Sequence, residues 1–247
     1  MTATPSPFVF FDVGGTLLVP GTALEELVET VLFARRLVRS GDAVRAAVAA
    51  AVAAHEASGA DRADRERPSA GRREMYTRIF HELGLDEAAG PLAAAVWEMS
   101  FDLAPPVLAP GAHAALEMLK GAGARAGIIS NWDDSLDGVL TRTGVRPYVE
   151  VVVSSYRVGW SKPNRRIFAA ALAEAGVEAG QSWHVGDDAY ADAQGALDAG
   201  LRAVLVDARP GAGDGLPPGA LHAARVDEAV HRLLEAERQG RTADHAR

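Results

Sequence analysis

The feature that most constrains this chain is the way its apolar runs end in polar side chains. The first run, Phe8–Phe11, is apolar at every position, which is typical of a strand covered on both faces. It ends in Asp12-Val-Gly-Gly-Thr16, where two glycines permit a tight turn. Ser130 and Asp187 stand at the ends of two later runs. Because ligands bind beyond the carboxyl ends of parallel strands, we predict that Asp12, Ser130 and Asp187 converge at one edge of a sheet.

From Pro105 onward, strand-like and helix-like segments alternate along the chain. The predicted strands are Ala126–Ser130, Val149–Ser154, Ser182–Val185 and Arg202–Val206. The predicted helices lie at 110–120, after Asp133, from Pro163, across 189–199 and, beyond a surface loop at 209–219, from Asp227 to Gln239. This alternation predicts the α/β class, with a doubly wound parallel sheet that has helices on both faces.

Residues 20–104 differ in texture, because helical spacing dominates and no segment resembles a strand. Thr22 with Glu25 forms a capping-box pattern before a first helix, and Asp42 starts an alanine-rich second helix. A charged loop at 61–68 precedes a helix near 71–83, and Asp86 is predicted to cap a fourth. We therefore predict an all-helical module at 20–104, inserted into a core made of residues 1–19 and 105–247.

Composition excludes several classes of function. Lys and Arg total 25 against 33 Asp and Glu, a net charge of −8 without a basic patch, which argues against a nucleic-acid partner. The chain has no cysteine, so thiolate catalysis and thiolate metal sites are excluded. No apolar stretch approaches a membrane span, and no basic residue precedes Arg35, so we expect a cytoplasmic protein with no membrane partner. Whether it is a monomer or a homodimer stays open.

Two groups of residues offer a definite chemistry. Asp187, Asp188 and Asp192 place three carboxylates within six residues, and a hard divalent cation such as Mg²⁺ would relieve their mutual repulsion. Asp12, at a strand end, could attack an electrophile and form a covalent intermediate. Thr16, Ser130 and Lys162 offer donors and a positive charge for the oxygens of an anionic substrate.

Four segments, in order, resemble the haloacid dehalogenase superfamily. They are Asp12-x-Gly-Gly-Thr16, Ser130-Asn131, Lys162-Pro163, and Gly186-Asp187 with Asp192. The resemblance covers nearly the whole chain and implies a Rossmann-like core with a helical cap of the C1 type. Ser130-Asn-Trp-Asp133, Trp160-Ser-Lys-Pro163 and His184-Val-Gly-Asp-Asp188 look like the subset known as haloacid dehalogenase-like hydrolase domain-containing proteins.

The resemblance also implies roles for individual residues. Asp12 would be the nucleophile, assisted by Ser130 and Lys162, while Thr16 and Asn131 would help to bind the substrate. The implied ligands of Mg²⁺ are Asp12, the backbone carbonyl of Gly14, and Asp187, with Asp192 in support. The implied activity is Mg²⁺-dependent hydrolysis of a small phosphorylated metabolite through an aspartyl-phosphate on Asp12.

Gly14 departs from the phosphatase pattern, which places a second Asp two residues after the nucleophile as general acid and base. Three functions stay open. The first is a phosphatase that acts on a good leaving group or borrows an acid such as Asp133 or Asp134. The second is a dehalogenase-like hydrolase of a carbon–halogen bond, although dehalogenases of this superfamily do not need magnesium. The third is a non-catalytic protein that binds phosphorylated ligands.

Several further residues have two interpretations each. Arg35 and Arg72, in the helical module, could contact a substrate anion or lie on a solvated helix face. Trp132 and Trp160 flank the motif residues and could line the cleft or pack in the core. The seven histidines show no metal-ligand spacing, and His184 is predicted to be a hydrogen-bonded core residue.

Overall fold

The computed structural model describes residues 6–58, 70–102, 105–207 and 215–245, and the side chains of 56–58, 70–72, 101–102 and 240–245 lie outside the description. The predicted charged loop 61–68, the side chain of Arg72 and most of the predicted loop 209–219 therefore lie outside the described residues. The chain divides into two compact units: Met1–Val19 with Leu108–Arg247, and Pro20–Val107. The predicted division into a core of residues 1–19 with 105–247 and a helical module of 20–104 stays a prediction.

The first unit is built on a six-stranded sheet in which each strand pairs with its neighbours in parallel. Its strands are β1 (Phe8–Phe11), β4 (Arg125–Ser130), β5 (Val151–Ser154), β6 (Ser182–Gly186), β7 (Arg202–Val206) and β8 (Leu221–Ala223), in the spatial order β5-β4-β1-β6-β7-β8. β2 (Leu18–Val19) and β3 (Val107–Leu108) form a separate two-stranded sheet. The predicted α/β class with a parallel sheet is confirmed.

β1 lies in the middle of this sheet, which explains why its sequence is apolar throughout. Its four residues are buried, and the strand pairs with β4 on one side and β6 on the other. Phe11 is in register with both Ile128 and Val185. The carboxyl ends of these three strands therefore lie side by side, which places Asp12, Ser130 and Asp187 at one edge of the sheet, as predicted.

Helices flank the sheet. They are α5 (Ala112–Gly121), α6 (Leu136–Arg142), α7 (Ser155–Val158), α8 (Arg165–Ala175), α9 (Gly195–Asp198) and α10 (Val226–His245). Phe8 and Phe10 share one hydrophobic core with Ile167 and Phe168 of α8. α5 and α10 pack on each other, and both contact strands of the sheet. The predicted helix from Pro163 begins later, at Arg165, because the side chain of Asn164 accepts a hydrogen bond from the Arg166 backbone as its N-terminal cap.

The second unit contains α1 (Leu24–Ala34), α2 (Gly41–Ser58), α3 (Ala70–Glu82) and α4 (Ala89–Asp102). These helices have a hydrophobic core of their own, which includes Val28, Val44, Ile79, Phe80 and Val96. The predicted capping box is wrong: α1 begins after Ala23, and no side chain caps it. A short 3₁₀ helix, Asp86–Ala88, leads into α4.

No helix among the described residues is both long and apolar enough to cross a membrane.

Candidate active site

Lys162 connects two buried carboxylates at the carboxyl edge of the sheet. Its Nζ lies 2.6 Å from Oδ1 of Asp12 and 2.6 Å from Oδ1 of Asp192. The side chains of Lys162 and Asp192 are each 2% exposed, and that of Asp12 is 11% exposed. The hydroxyl of Ser130 also hydrogen-bonds to Asp12. The predicted nucleophile is thus held in place by both of the residues predicted to assist it.

Asn131 holds the backbone of Lys162. Its side-chain Nδ2 donates to the carbonyl of Lys162 at 3.1 Å, and its Oδ1 accepts from the backbone N–H of Lys162 at 2.7 Å. The peptide bond between Lys162 and Pro163 is cis. Both polar groups of the Asn131 amide therefore position Lys162, and the substrate contact of Asn131 stays a prediction.

Asp187 lies against the glycine turn that follows the nucleophile. The hydroxyl of Thr16 donates to its Oδ1 at 3.1 Å. Gly15 has a φ of +77°, and a Cβ at that position would overlap the Asp187 carboxylate. Gly15 is therefore required twice, by the left-handed backbone and by the close approach of the acid. The hydroxyl of Thr16 donates its hydrogen bond to Asp187, and the predicted contact of Thr16 with substrate stays a prediction.

The three acids form one cluster, with ligand oxygens of Asp12, Asp187 and Asp192 all within 4.8 Å of one another. Burial, together with the charges of Asp12 and Asp192, raises the pKa of Asp187 to about 7. Burial also raises the pKa of Asp12, against the opposing effect of Lys162. For Asp192, burial is outweighed by Lys162 and by the hydrogen bond from His184, so its pKa is lowered. Burial alone would lower the pKa of Lys162, but the two carboxylates raise it.

The donor set fits a hard divalent cation. Three carboxylates against one ammonium leave a net charge of −2 when all four groups are ionised, and oxygen ligands of this kind suit Mg²⁺. Asp192 already accepts bonds from Lys162 and His184 on Oδ1, and from the Asp188 N–H on Oδ2. Asp12 and Asp187 are therefore better placed to hold a metal directly, while the roles of Asp192 and of the Gly14 carbonyl stay predictions.

Asp192 is placed by an unusual turn that the sequence pattern did not reveal. Residues Ala189–Gln194 form a π-helical turn, and the side chain of Asp188 caps it by accepting from the N–H groups of Tyr190 and Ala191. Asp188 is exposed and is thus used as a cap. A Cβ at Gly186 would overlap Asp192, so this glycine allows the acid to approach β6.

His184 is a buried core residue, as predicted, but it also contacts the site. It is fully buried, and its Nε2 lies 2.8 Å from Oδ1 of Asp192. Among the described residues, no group hydrogen-bonds to its Nδ1. The imidazole therefore meets Asp192 through Nε2.

Gly14 lies beside Trp132. A Cβ at Gly14 would be 3.5 Å from Cζ3 of Trp132, an ordinary van der Waals distance, and Gly14 does not have a positive φ. Of the two acids considered as substitutes, Asp133 is buried and accepts from the backbone N–H and hydroxyl of Ser135, whereas Asp134 is exposed.

Two further residues were considered for the cleft, Arg35 and Trp160. Arg35 is exposed at the end of α1, in the helical unit, and its contact with substrate stays a prediction. The exposed ring of Trp160 lies under the guanidinium of Arg166, 4.2 Å from the ring centre.

Comparison with protein families agrees with this geometry. The family described as haloacid dehalogenase-like hydrolase matches residues 8–200, which include every residue of the cluster. The chain belongs to the haloacid dehalogenase-like hydrolase family. Membership makes it a hydrolase by family, and the resemblance predicted from the four sequence segments is confirmed.

Curated relatives of this haloacid dehalogenase-like hydrolase include a protein of the predicted subset and a nucleotidase. Haloacid dehalogenase-like hydrolase domain-containing protein 3 of Homo sapiens is 33% identical over 138 residues, 54% of each chain. Pyrimidine 5'-nucleotidase YjjG of Escherichia coli is 41% identical over 101 residues, 40% of this chain and 44% of the relative. The chain therefore matches only about half the length of these curated relatives.

Solved structures confirm the fold of the hydrolase. The HAD-hydrolase YfnB of Bacillus subtilis, bound to magnesium, superposes with a TM-score of 0.72 at 19% identity, covering 93% of this chain and 99% of YfnB. The L-2-haloacid dehalogenase of Xanthobacter autotrophicus has a TM-score of 0.64 at 16% identity, covering 94% and 99%. At these identities the likeness concerns the fold alone.

Proposed function

We propose that this chain is a Mg²⁺-dependent phosphatase that hydrolyses a small phosphorylated compound through an aspartyl-phosphate on Asp12. The observation that carries the proposal is the buried ammonium of Lys162, 2.6 Å from the carboxylates of both Asp12 and Asp192. The positive charge of Lys162 favours the ionised form of Asp12, against the effect of burial, at the edge where Asp187 adds a third acid. Phosphatase names among the relatives, which include a glyceraldehyde 3-phosphate phosphatase, support the same reaction class.

The residues of the site divide the work as follows. Asp12 attacks the phosphorus and displaces the leaving group, and water then attacks the aspartyl-phosphate to release phosphate. Lys162 balances the charge of Asp12 and of the phosphoryl oxygens, while Ser130 orients the nucleophile by a hydrogen bond. Asp12 and Asp187 would hold the Mg²⁺, which when bound neutralises negative charge on the phosphoryl group.

Gly14 favours a second candidate, a protein that binds phosphorylated ligands without turnover. The position offers no side chain to protonate a leaving group, and loss of a general acid or base lowers rates by about 10²–10⁴-fold. Reaction at carbon, as in a dehalogenase, is less well supported, because the cluster of three carboxylates is suited to a divalent cation.

The first experiment measures phosphate release from p-nitrophenyl phosphate with Mg²⁺, with EDTA, and with the Asp12→Asn variant. Turnover that needs both Mg²⁺ and Asp12 is the expected result. If a folded sample releases no phosphate, yet Mg²⁺ and phosphate raise its Tm, the result would favour a protein that binds phosphorylated ligands without turnover. Release of halide from a 2-haloacid in the presence of EDTA would instead indicate a dehalogenase.

A further inference from the structure

Trp132 lies beside the position from which a general acid is missing. Gly14 is two residues after the nucleophile, and the side of the turn to which a side chain at 14 would point faces Cζ3 of Trp132. The φ of Gly14 is not in the left-handed region, so an L side chain there would not meet the strain expected at Gly15. The space beside Gly14, in which the carboxyl group of an Asp at this position would lie, is therefore bordered by the edge of the Trp132 ring.

The ring of Trp132 is fixed in this orientation. Its Nε1 donates to the hydroxyl of Ser135 at 3.0 Å, and Ser135 is in turn bonded to Asp133. The carbonyl of Trp132 accepts from the Tyr156 N–H and the Ser155 hydroxyl, each at 3.3 Å. The residue is half-buried, so part of it reaches solvent. Toward position 14 it presents the apolar edge at Cζ3, which carries no group that titrates.

We infer that Trp132 determines leaving-group specificity, selecting phosphorylated compounds whose leaving group is planar and acidic, such as aryl and acyl phosphates. This inference rests on the proposed phosphatase function. The Asp12 oxygen forms the new P–O bond as the bond to the leaving group breaks, and the leaving group departs with the electron pair as a phenolate or carboxylate. Water then attacks the phosphorus, Asp12 departs as carboxylate, and both protons of the water end on the released dihydrogen phosphate. An acidic leaving group needs no donor at position 14, and a planar one packs against the edge of the indole at Cζ3.

A series of substituted phenyl phosphates tests the absence of an acid. For the wild-type protein, kcat/KM falls steeply as the pKa of the leaving phenol rises, and glycerol phosphate is not hydrolysed. Gly14→Asp flattens this dependence and raises turnover of the alkyl ester, by up to about 10²–10⁴-fold where the new carboxyl reaches the leaving oxygen. A flat dependence in the wild type, or equal rates on aryl and alkyl phosphates, overturns the inference.

Binding of two phosphonates, which are not hydrolysed, tests Trp132 without turnover. With Mg²⁺ present, phenylphosphonate should bind about 3- to 10-fold more tightly than methylphosphonate, as expected for one aromatic pair. Trp132→Phe keeps most of this ratio and Trp132→Leu removes it, while Trp160→Leu, the matched control, leaves it unchanged. If the wild type binds the two phosphonates equally, the inference about Trp132 is refuted, while the proposed phosphatase function is not. Failure to bind either one, with no Mg²⁺-dependent turnover, refutes the proposed function as well.

Discussion

At the scale of single residues, the ammonium of Lys162 separates two buried carboxylates. Lys162→Met would leave Asp12 and Asp192 facing each other, and removing one partner of a buried ion pair costs about 3–5 kcal/mol. We expect urea unfolding at pH 7.5 to show a loss of this size. The loss should be smaller at pH 5.5, because the folded variant can then take up a proton between the two acids.

Lys120→Met is the matched control for this prediction. Lys120 is exposed on α5 and lies 5.6 Å from the ring centre of Tyr148. Its removal should change the free energy of unfolding by less than about 1 kcal/mol. Similar losses from both variants would contradict the idea that Lys162 balances buried charge.

Asp187 predicts how stability and metal binding depend on pH. Its pKa is raised to about 7 in the folded state, above its ordinary value of 3.8. Between these values the folded state binds a proton that the unfolded state does not, so this group makes stability fall as pH rises. Mg²⁺ binds the ionised form, and it should therefore raise Tm more at pH 8 than at pH 6. The measurement is thermal unfolding with and without Mg²⁺ at both pH values. Asp187→Asn should remove the difference between them. A rise in Tm that is the same at pH 6 and pH 8 would count against Asp187 as a ligand of Mg²⁺.

Gly14 and Gly15 are neighbours with opposite tolerance for a side chain. Gly15→Ala meets both a φ of +77° and the Asp187 carboxylate, so we expect a loss of about 1–3 kcal/mol and loss of the stabilisation by Mg²⁺. Gly14→Ala meets only Trp132 at van der Waals distance and should stay within about 1 kcal/mol of the wild type. Denaturant unfolding of both variants with and without Mg²⁺ makes the comparison, and equal effects would refute it.

At the scale of secondary-structure elements, β1 and β4 pack without room for a further methyl group. A Cβ at Gly127 of β4 would lie 2.9 Å from Phe8 and 3.0 Å from Phe10. Gly127→Ala should therefore destabilise the protein by about 1–3 kcal/mol. Gly138 is an exposed position of α6 where an added Cβ would meet no atom within 4 Å, so Gly138→Ala should instead stabilise by up to about 1 kcal/mol. Thermal unfolding distinguishes the two, and a neutral Gly127→Ala would show that the rings can move apart.

The elements that sequence patterns predicted well are the long apolar strands and the helices with clear periodicity. Both ends of the strand Arg202–Val206 were predicted correctly, because all of its residues except the first are buried and the run is therefore apolar. The strand predicted from Val149 begins at Val151, because Arg146–Tyr148 forms a 3₁₀ turn. β2, β3 and β8 were not predicted: segments of two or three residues become strands only through a partner.

At the scale of the whole molecule, the helical unit is an insertion between β2 and β3. Each unit has a hydrophobic core of its own. The Ala109 N–H donates to the Leu17 carbonyl at 2.9 Å, so the two ends of the first unit that flank the insertion lie next to each other. We expect a variant in which a short glycine-rich linker replaces residues 21–106 to fold cooperatively and to keep its stabilisation by Mg²⁺. Circular dichroism during thermal unfolding checks this. A molten product would show that the predicted domains do not fold independently.

Local patterns were enough to predict the parallel sheet and the edge at which the acids gather, because apolar runs of strand length end in Asp12, Ser130 and Asp187. Contacts between distant parts of the chain could not be predicted in this way. Lys162 bonds to Asp192, 30 residues away, and Thr16 to Asp187, 171 residues away. The position of Trp132 beside Gly14 is a contact of the same kind. Periodicity shows which face of an element is buried, but strand order and a π-helical turn set which distant side chains meet there.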